Sequence, residues 1–350
     1  MIKFPHIYLL HNVLAYVKHV NTDPEVPEHF RVTKPVTFTG TIKLHGSNCG
    51  VVWDAATDTL QAQSRETVLT PEADYKGFAQ FVATNAVAIR SLIIHDVAWL
   101  KLLGTVRKVA LYGEWVGQGV VAKPKGSAVS TFAGRHWALF AVFATFGDDV
   151  EATNVSYIMM PSLAHMRDLP PSIGSVRSAG NWSVTIDFND PASVEAGLAA
   201  ATAAVDQVGA QCPYGKLHGL TGAGEGIVWM PEGEFQGRED LYWKHKTEAH
   251  SVVDTATVRE RPAVAPDVAE TIADFVASMV TDNRLHQGLD VLEQQGLGAE
   301  KRNTGKFVQW LAADVEREGS LALDEQGLTW AQVSGPVTVK AREFFLARAK

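Results

Sequence analysis

The amino-acid pattern predicts an α+β fold, antiparallel sheet through residue 246 followed by a small all-α region. Three observations carry that reading. Short runs of alternating residues recur in the first part, as in Val36-Thr37-Phe38-Thr39-Gly40-Thr41-Ile42, and turn-forming residues bound them. Two stretches, 72–103 and Pro191 to Ala210, instead carry helical patterns. After Thr247 the period changes: Ile272, Phe275, Val276, Met279 and Val280 recur at helical spacing, as do Phe307, Trp310 and Leu311, then Val337, Ala341, Phe344 and Phe345.

In chain order, residues 1–35 are mixed, with Pro5, Pro24 and Pro27 expected to break regular structure. Val36 to Ile42 is the first strand. Cys49 to Trp53 and Thr59 to Arg65 form a hairpin around Asp54-Ala55-Ala56-Thr57-Asp58. Val109 to Val116, Trp137 to Phe143, Gly226 to Met230 and Leu241 to Lys246 are further strands. The expected domains are 1–250, a linker over 251–266 containing Arg259, Arg261, Pro262 and Pro266, and a helical domain over 267–350.

The chain has 350 residues, 46% hydrophobic and 20% charged, enough for two globular domains. Its net charge of -8 gives no bulk signal for nucleic acid, so any such partner needs a local basic surface. Cys49 and Cys212 set neither a disulfide framework nor a metal spacing. No run reaches the length of a membrane span, and Ile7-Tyr8-Leu9-Leu10 is too short for a secretion signal. The expected setting is intracellular.

Five clusters place polar groups in or beside apolar strands: Lys43 to Asn48; Gln63-Ser64-Arg65; Leu111-Tyr112-Gly113-Glu114-Trp115; Glu225-Gly226-Ile227-Val228-Trp229; and Leu241-Tyr242-Trp243-Lys244-His245-Lys246. In the first, Lys43 stands where a strand gives way to a turn containing Gly46, which admits close backbone approach, with Ser47 and Asn48 beside it. An isolated Lys-x-x-Gly is usually a surface lysine, so this one gains meaning from the other four. In the fifth, Lys244 and Lys246 share a strand face with Tyr242, and two ammonium groups so close call for an anion between them. A solvated basic sheet edge is the bland alternative. Lys43-Leu44-His45-Gly46 recurs as Lys216-Leu217-His218-Gly219, which makes Lys216 a second candidate nucleophile.

Taken in order, these clusters resemble the motifs of the covalent nucleotidyltransferase superfamily of ligases and capping enzymes. His45 in Lys43-Leu44-His45-Gly46-Ser47-Asn48 narrows the resemblance to the RNA ligase 2 family, which includes phage RNA ligases and RNA-editing ligases. It covers roughly residues 36–246. Lys43 has room downstream for the remaining motifs, whereas Lys216 stands too close to Glu225, which selects Lys43. The resemblance implies an adenylyltransferase domain joined to a helical nucleic-acid-binding domain, ATP as substrate, and Mg²⁺ or Mn²⁺. It implies that Lys43 attacks the α-phosphate of ATP, giving lysyl-AMP and pyrophosphate. Glu114 would hold the ribose, Glu225 the metal and phosphate end, and Lys244 and Lys246 the α-phosphate. Arg65 would contact the nucleotide or a nucleic-acid end, Ile42, His45 and Asn48 would line the AMP site, and Phe140 would stack on adenine. Ala141 stands where an acid follows that aromatic in the family. The implied partner is RNA with 5′-phosphate and 3′-hydroxyl ends, as nicked duplex or hybrid, bound by a monomer.

The chemistry itself asks for these residue types. A free lysine has a pKa of about 10.4 and is protonated at neutral pH. Burial or nearby cations such as Lys244 and Lys246 are expected to lower that value and make it a nucleophile. The same cations stabilise charge on a transferring phosphate, and a carboxylate such as Glu225 suits Mg²⁺. The competing readings are a DNA ligase or capping enzyme, which would usually carry a β-barrel after the last motif, and a non-catalytic RNA-end-binding protein.

Overall fold

The computed structural model describes residues 1–96, 105–124, 126–146, 154–159, 169–251 and 268–349. The chain divides into two units, Met1–Thr247 and Glu248–Lys350. Along the first run β1 (Tyr8–Leu9), α1 (Leu10–Thr22), β2 (Val36–Lys43), β3 (Ser47–Asp54), β4 (Thr59–Ser64), α2 (Phe78–Thr84), α3 (Ala86–Ser91), β5 (Val106–Gly117), β6 (Arg135–Phe146) and β7 (Asn154–Met159). Next come β8 (Ile173–Ser175), β9 (Trp182–Ile186), α4 (Pro191–Ala210), α5 (Pro213–Leu217), β10 (Gly226–Pro231) and β11 (Trp243–Lys246).

These strands make two sheets, one in the order β1-β11-β10-β2-β9 and one in the order β4-β3-β5-β6-β7 with β8 beside β6. Neighbouring strands are antiparallel except β1 with β11 and β6 with β8. The chain passes from the first sheet to the second at Leu44-His45-Gly46, between β2 and β3. Lys43 therefore ends a strand of one sheet at the entrance to the other.

Strand alternation sorts the side chains into layers. Trp229 and Trp243 stack with centroids 5.2 Å apart, in a core that also takes Val13 and Val17 from α1 and Val205 and Val208 from α4. On the second sheet, Trp115 and Trp137 pack with Phe78 and Val82 of α2. A smaller cluster joins Met230 of the first sheet and Tyr242, just before β11, to Val52, Ala110, Tyr112, Ala141 and Phe143 of the second, with Phe4 among them.

The α+β expectation holds, with four differences of detail. The amino-terminal stretch contains a thirteen-residue helix, α1. Its prolines bracket the helix rather than interrupt it, and Leu10, Val13 and Val17 repeat on its buried face. The 72–103 pattern resolves into two short helices and a π-turn, Leu92–Asp96, while 97–103 lie outside the described residues. Leu241 belongs to a 3-10 turn, Glu239–Leu241, so the last strand starts at Trp243. Strands β8 and β9 are too short to announce themselves by alternation.

The second unit contains α6 (Val268–Met279), α7 (Asp282–Gln294), α8 (Thr304–Gln326) and α9 (Trp330–Leu346). Phe275, Phe307, Leu311, Val337 and Phe345 form its own core. Arg284 is completely buried there, with Nη2 2.8 Å from Glu318 Oε2, Nε 3.1 Å from Asp314 Oδ2, and Nη1 donating to the Met279 carbonyl. The expected linker falls almost wholly on 252–266, outside the described residues. Among the described residues no helix is long and apolar enough to cross a membrane.

Candidate active site

Three adjacent strands bring the charged groups together. Gly226 pairs with Lys43 across β2 and with Lys246 across β11, so Glu225 arrives between the two lysines. Gly226 has φ +155, and a Cβ there would lie 2.1 Å from the His245 carbonyl oxygen. Only glycine fits this crossing. Lys43 Nζ lies 2.7 Å from Glu225 Oε2, and Lys246 Nζ lies 3.0 Å from Oε1. His45 donates through Nε2 to the Lys123 carbonyl (2.8 Å), and its Nδ1 stands 3.8 Å from Glu225 Oε2.

The second sheet supplies the opposite side. The Gly46 N–H donates to Glu114 Oε1 at 3.0 Å, and Asn48 pairs in register with Glu114. A Cβ on Gly46 would stand 2.3 Å from the Trp115 carbonyl oxygen, so this turn also depends on glycine. Arg65 follows β4 and is half-buried, and its charge acts on Lys43. Lys244 is half-buried and acts on Lys246 through its charge.

Burial and charge oppose one another here, and the outcome differs group by group. Burial pushes the Lys43 ammonium down, but Glu225 and Glu114 outweigh it and hold its pKa above the ordinary lysine value. Burial would raise Glu225, yet Lys43 and Lys246 keep that carboxyl well below the usual carboxylate range. Burial lowers Lys246, and Lys43 and Lys244 add to the fall against the pull of Glu225. Burial pushes Glu114 up to about 7 against Lys43, with Glu225 reinforcing the rise. The expectation of a depressed Lys43 is thus reversed, because its nearest neighbours are carboxylates rather than the other lysines.

Moving away from Lys43, the inner faces of β10 and β5 change to apolar while β2 carries threonines. Thr41 and Thr39 follow Lys43 on β2, Val228 and Met230 follow Gly226 on β10, and Tyr112 and Ala110 precede Glu114 on β5. Tyr242, Met230, Tyr112 and Ala110 close that end in one apolar cluster. Phe140 reaches it from β6. Ala141 pairs with Tyr112 and Leu139 with Gly113, so Phe140 is the extra residue of a bulge, where side chains are re-aimed. It is half-buried, whereas Ala141 is buried in the apolar cluster.

Lys43, His45, Asn48, Glu114, Glu225 and Lys246 come together, with Arg65 and Lys244 at their edge. Ile42 does not join them through its side chain, which alternation turns into the core beside Ile227. Lys216 is exposed on α5. The Lys123 carbonyl that holds His45 and the buried Phe4 were not anticipated. Both act across long sequence separations, and neither carries a short motif. Among the described residues no group of three or more His, Cys, Asp or Glu could hold a metal ion.

A family model described as RNA ligase matches residues 36–246, the span that carries this site. Solved structures of a Naegleria gruberi RNA ligase are also similar. A mutant with AMP and Mn is 14% identical with a TM-score of 0.40, covering 71% of this chain and 56% of that one. A mutant with ATP and Mn is 15% identical with a TM-score of 0.39, covering 71% and 57%. A form with PPi is 14% identical with a TM-score of 0.37, covering 71% and 56%. The chain therefore spans little more than half the length of these structures. No curated protein matches it. The family match extends over more than half of the 350 residues and includes Lys43, Glu114, Glu225, Lys244 and Lys246: the chain belongs to the RNA ligase family.

Proposed function

We propose that the protein is an ATP-dependent RNA ligase that works through lysyl-AMP, is of the RNA ligase 2 type, and joins 5′-phosphate to 3′-hydroxyl ends at nicks in duplex RNA or RNA-containing hybrids. The observation that carries this reading is Lys43 set against Glu225 on strands that lead on to the apolar cluster of Tyr112, Met230 and Tyr242. A nucleotide has the same polarity, with phosphates at one end and a base at the other. Lys43 Nζ attacks the α-phosphorus, a P–N bond forms, and the bond to pyrophosphate breaks. The attacking nitrogen must first give up a proton, which its pairing with Glu225 opposes. Lys246 and Lys244 would stabilise charge on the transferring phosphate. Phe140 would offer a ring to adenine, and Glu114 would accept from the ribose.

Mg²⁺ or Mn²⁺ fits this donor set in one way only. Such ions are held through one or two carboxylates, with phosphates and waters completing the shell. Glu225 provides a buried carboxylate beside Lys43, and a nucleotide would provide the rest. When bound, the metal would neutralise phosphate oxygens and screen Glu225 from Lys43. The second unit is assigned to gripping nucleic acid beside the break, and the working form to a monomer. An all-helical second unit, without a strand among its described residues, favours an RNA ligase over a DNA ligase or capping enzyme. The clustering of Lys43 and Lys246 around Glu225 favours an enzyme over an end-binding protein.

The test is incubation with labelled ATP and a divalent metal. Acid-labile covalent label is expected on the native chain and on Lys216→Ala, and none on Lys43→Ala. Label mapped to Lys216, or none on the native chain, would overturn the reading. Unlabelled GTP is expected to compete poorly, and excess chelator to stop labelling.

A further inference from the structure

The first eight residues reach both sheets. The Ile2 N–H donates to Gln63 Oε1 (3.0 Å), Gln63 Nε2 donates back to the Ile2 carbonyl (2.5 Å), and Tyr112 Oη donates to the same carbonyl (3.1 Å). Gln63 is buried, so this is an interior clasp rather than a surface contact. Tyr8 then joins the other sheet, its N–H donating to the Tyr242 carbonyl at 3.1 Å. Between the two attachments sits Phe4, 6% exposed, its ring 5.1 Å from that of Tyr112 and 5.1 Å from that of Phe140. It meets Phe140 edge-on, at 71°. Because Phe140 is the extra residue of a bulge, no cross-strand partner on β5 fixes its direction. Side-chain packing must fix it: Phe140 packs against both the larger core and the apolar cluster, and Phe4 is the ring that meets its face edge-on.

We infer that Phe4 is a positioning residue of the nucleotide site: the amino-terminal segment walls off the apolar end, and the edge of Phe4 holds the Phe140 ring in the plane on which a purine base stacks. The inference rests on the ligase reading of the site. An edge-to-face aromatic pair is worth enough to change affinity about threefold to tenfold. The effect must be confined to ligands that carry a base, since the residues Phe4 packs with belong to the apolar cluster rather than to the Lys43–Glu225 pair.

The test compares ATP with inorganic tripolyphosphate, which has the phosphates and lacks the base, on the full chain. Phe4→Ala is expected to raise KM for ATP in self-adenylylation about threefold to tenfold, with kcat within about twofold. Inhibition by tripolyphosphate is expected to be unchanged, and Phe4→Tyr to restore the native KM. Phe4→Leu keeps bulk without the ring and should show the same selective loss, so it carries the test if Phe4→Ala does not fold. Equal weakening toward ATP and tripolyphosphate, or no change toward either, overturns the inference. Failure of the native chain to take up AMP overturns the ligase reading instead.

Discussion

Lys43 is held as an ammonium by two carboxylates, and this sets how its reactivity depends on pH. Self-adenylylation should rise with pH, because the attacking nitrogen must be unprotonated and its pKa lies above the ordinary lysine value. Removing the Glu225 charge leaves Glu114 alone against burial and Arg65, which push the Lys43 pKa down. Glu225→Gln should therefore move the rising limb of the single-turnover pH profile to lower pH, even as its plateau falls. A profile that stays in place or moves up would show that Glu225 does not control the lysine. Glu114 gives a separate prediction on stability. Its folded-state pKa is raised from 4.5 to about 7, so folding favours the neutral acid. Its contribution is complete below about 4.5 and is lost as pH rises through about 7. Glu114→Gln removes that dependence, so its melting temperature relative to the native chain should climb between pH 5 and pH 8. A constant difference would mean that Glu114 stays ionised throughout.

At the scale of elements, β10 organises the site because Gly226 meets both flanking strands. Gly226→Ala forces a Cβ against the His245 carbonyl and strains a positive φ, so β10 and β11 must separate. The expected result is loss of self-adenylylation together with a destabilisation of about 1–3 kcal/mol, read by denaturant unfolding; an active variant of native stability would remove this role. Much of this arrangement was legible in the sequence. Alternation placed β2, β3, β5, β6 and β10, and motif order separated Lys43 from Lys216. The parts that were not legible depend on distant contacts. Nothing near Lys43 in sequence says that Glu225 and Glu114 will surround it and raise its pKa. Ile42, adjacent to the nucleophile, was expected in the site, but strand geometry turns its side chain into the core. Phe4 lies among prolines and carries no pattern, and α1 was hidden by the same prolines. In the second unit, helical periodicity was visible while the buried Arg284 was not, since its partners Asp314 and Glu318 lie on another helix. Arg284→Met strands those two carboxylates and should cost about 3–5 kcal/mol, measured as earlier unfolding of the helical unit.

For the whole molecule, the division between two separately cored units sets what each is able to do alone. Every charged group placed at the site lies within Met1–Thr247, and the hydrogen bonds that position Lys43, His45 and Glu114 lie there too. The helical unit instead presents basic residues at its surface. Lys301, Arg302, Arg342 and Arg348 are exposed, although Arg302 is paired with Glu300 at 2.9 Å and Arg348 lies over the Phe344 ring. Lys340 is half-buried, its pKa lowered by burial, and Lys350 lies outside the described residues. Phosphate contacts from such groups position a duplex without reading its sequence. A chain ending at Ser251 should therefore still form lysyl-AMP from ATP and metal, and should lose most sealing of nicked RNA. Joining by the full chain should fall as salt rises, log-linearly, as counterion release requires, while adenylylation should respond less. Replacing Arg342 and Lys301 together with Ala should reduce the salt slope of joining and leave lysyl-AMP formation intact. A truncated chain that seals as fast as the full one would remove the helical unit from substrate binding. A folded one that takes up no AMP would show that the first unit does not hold a complete adenylylation site.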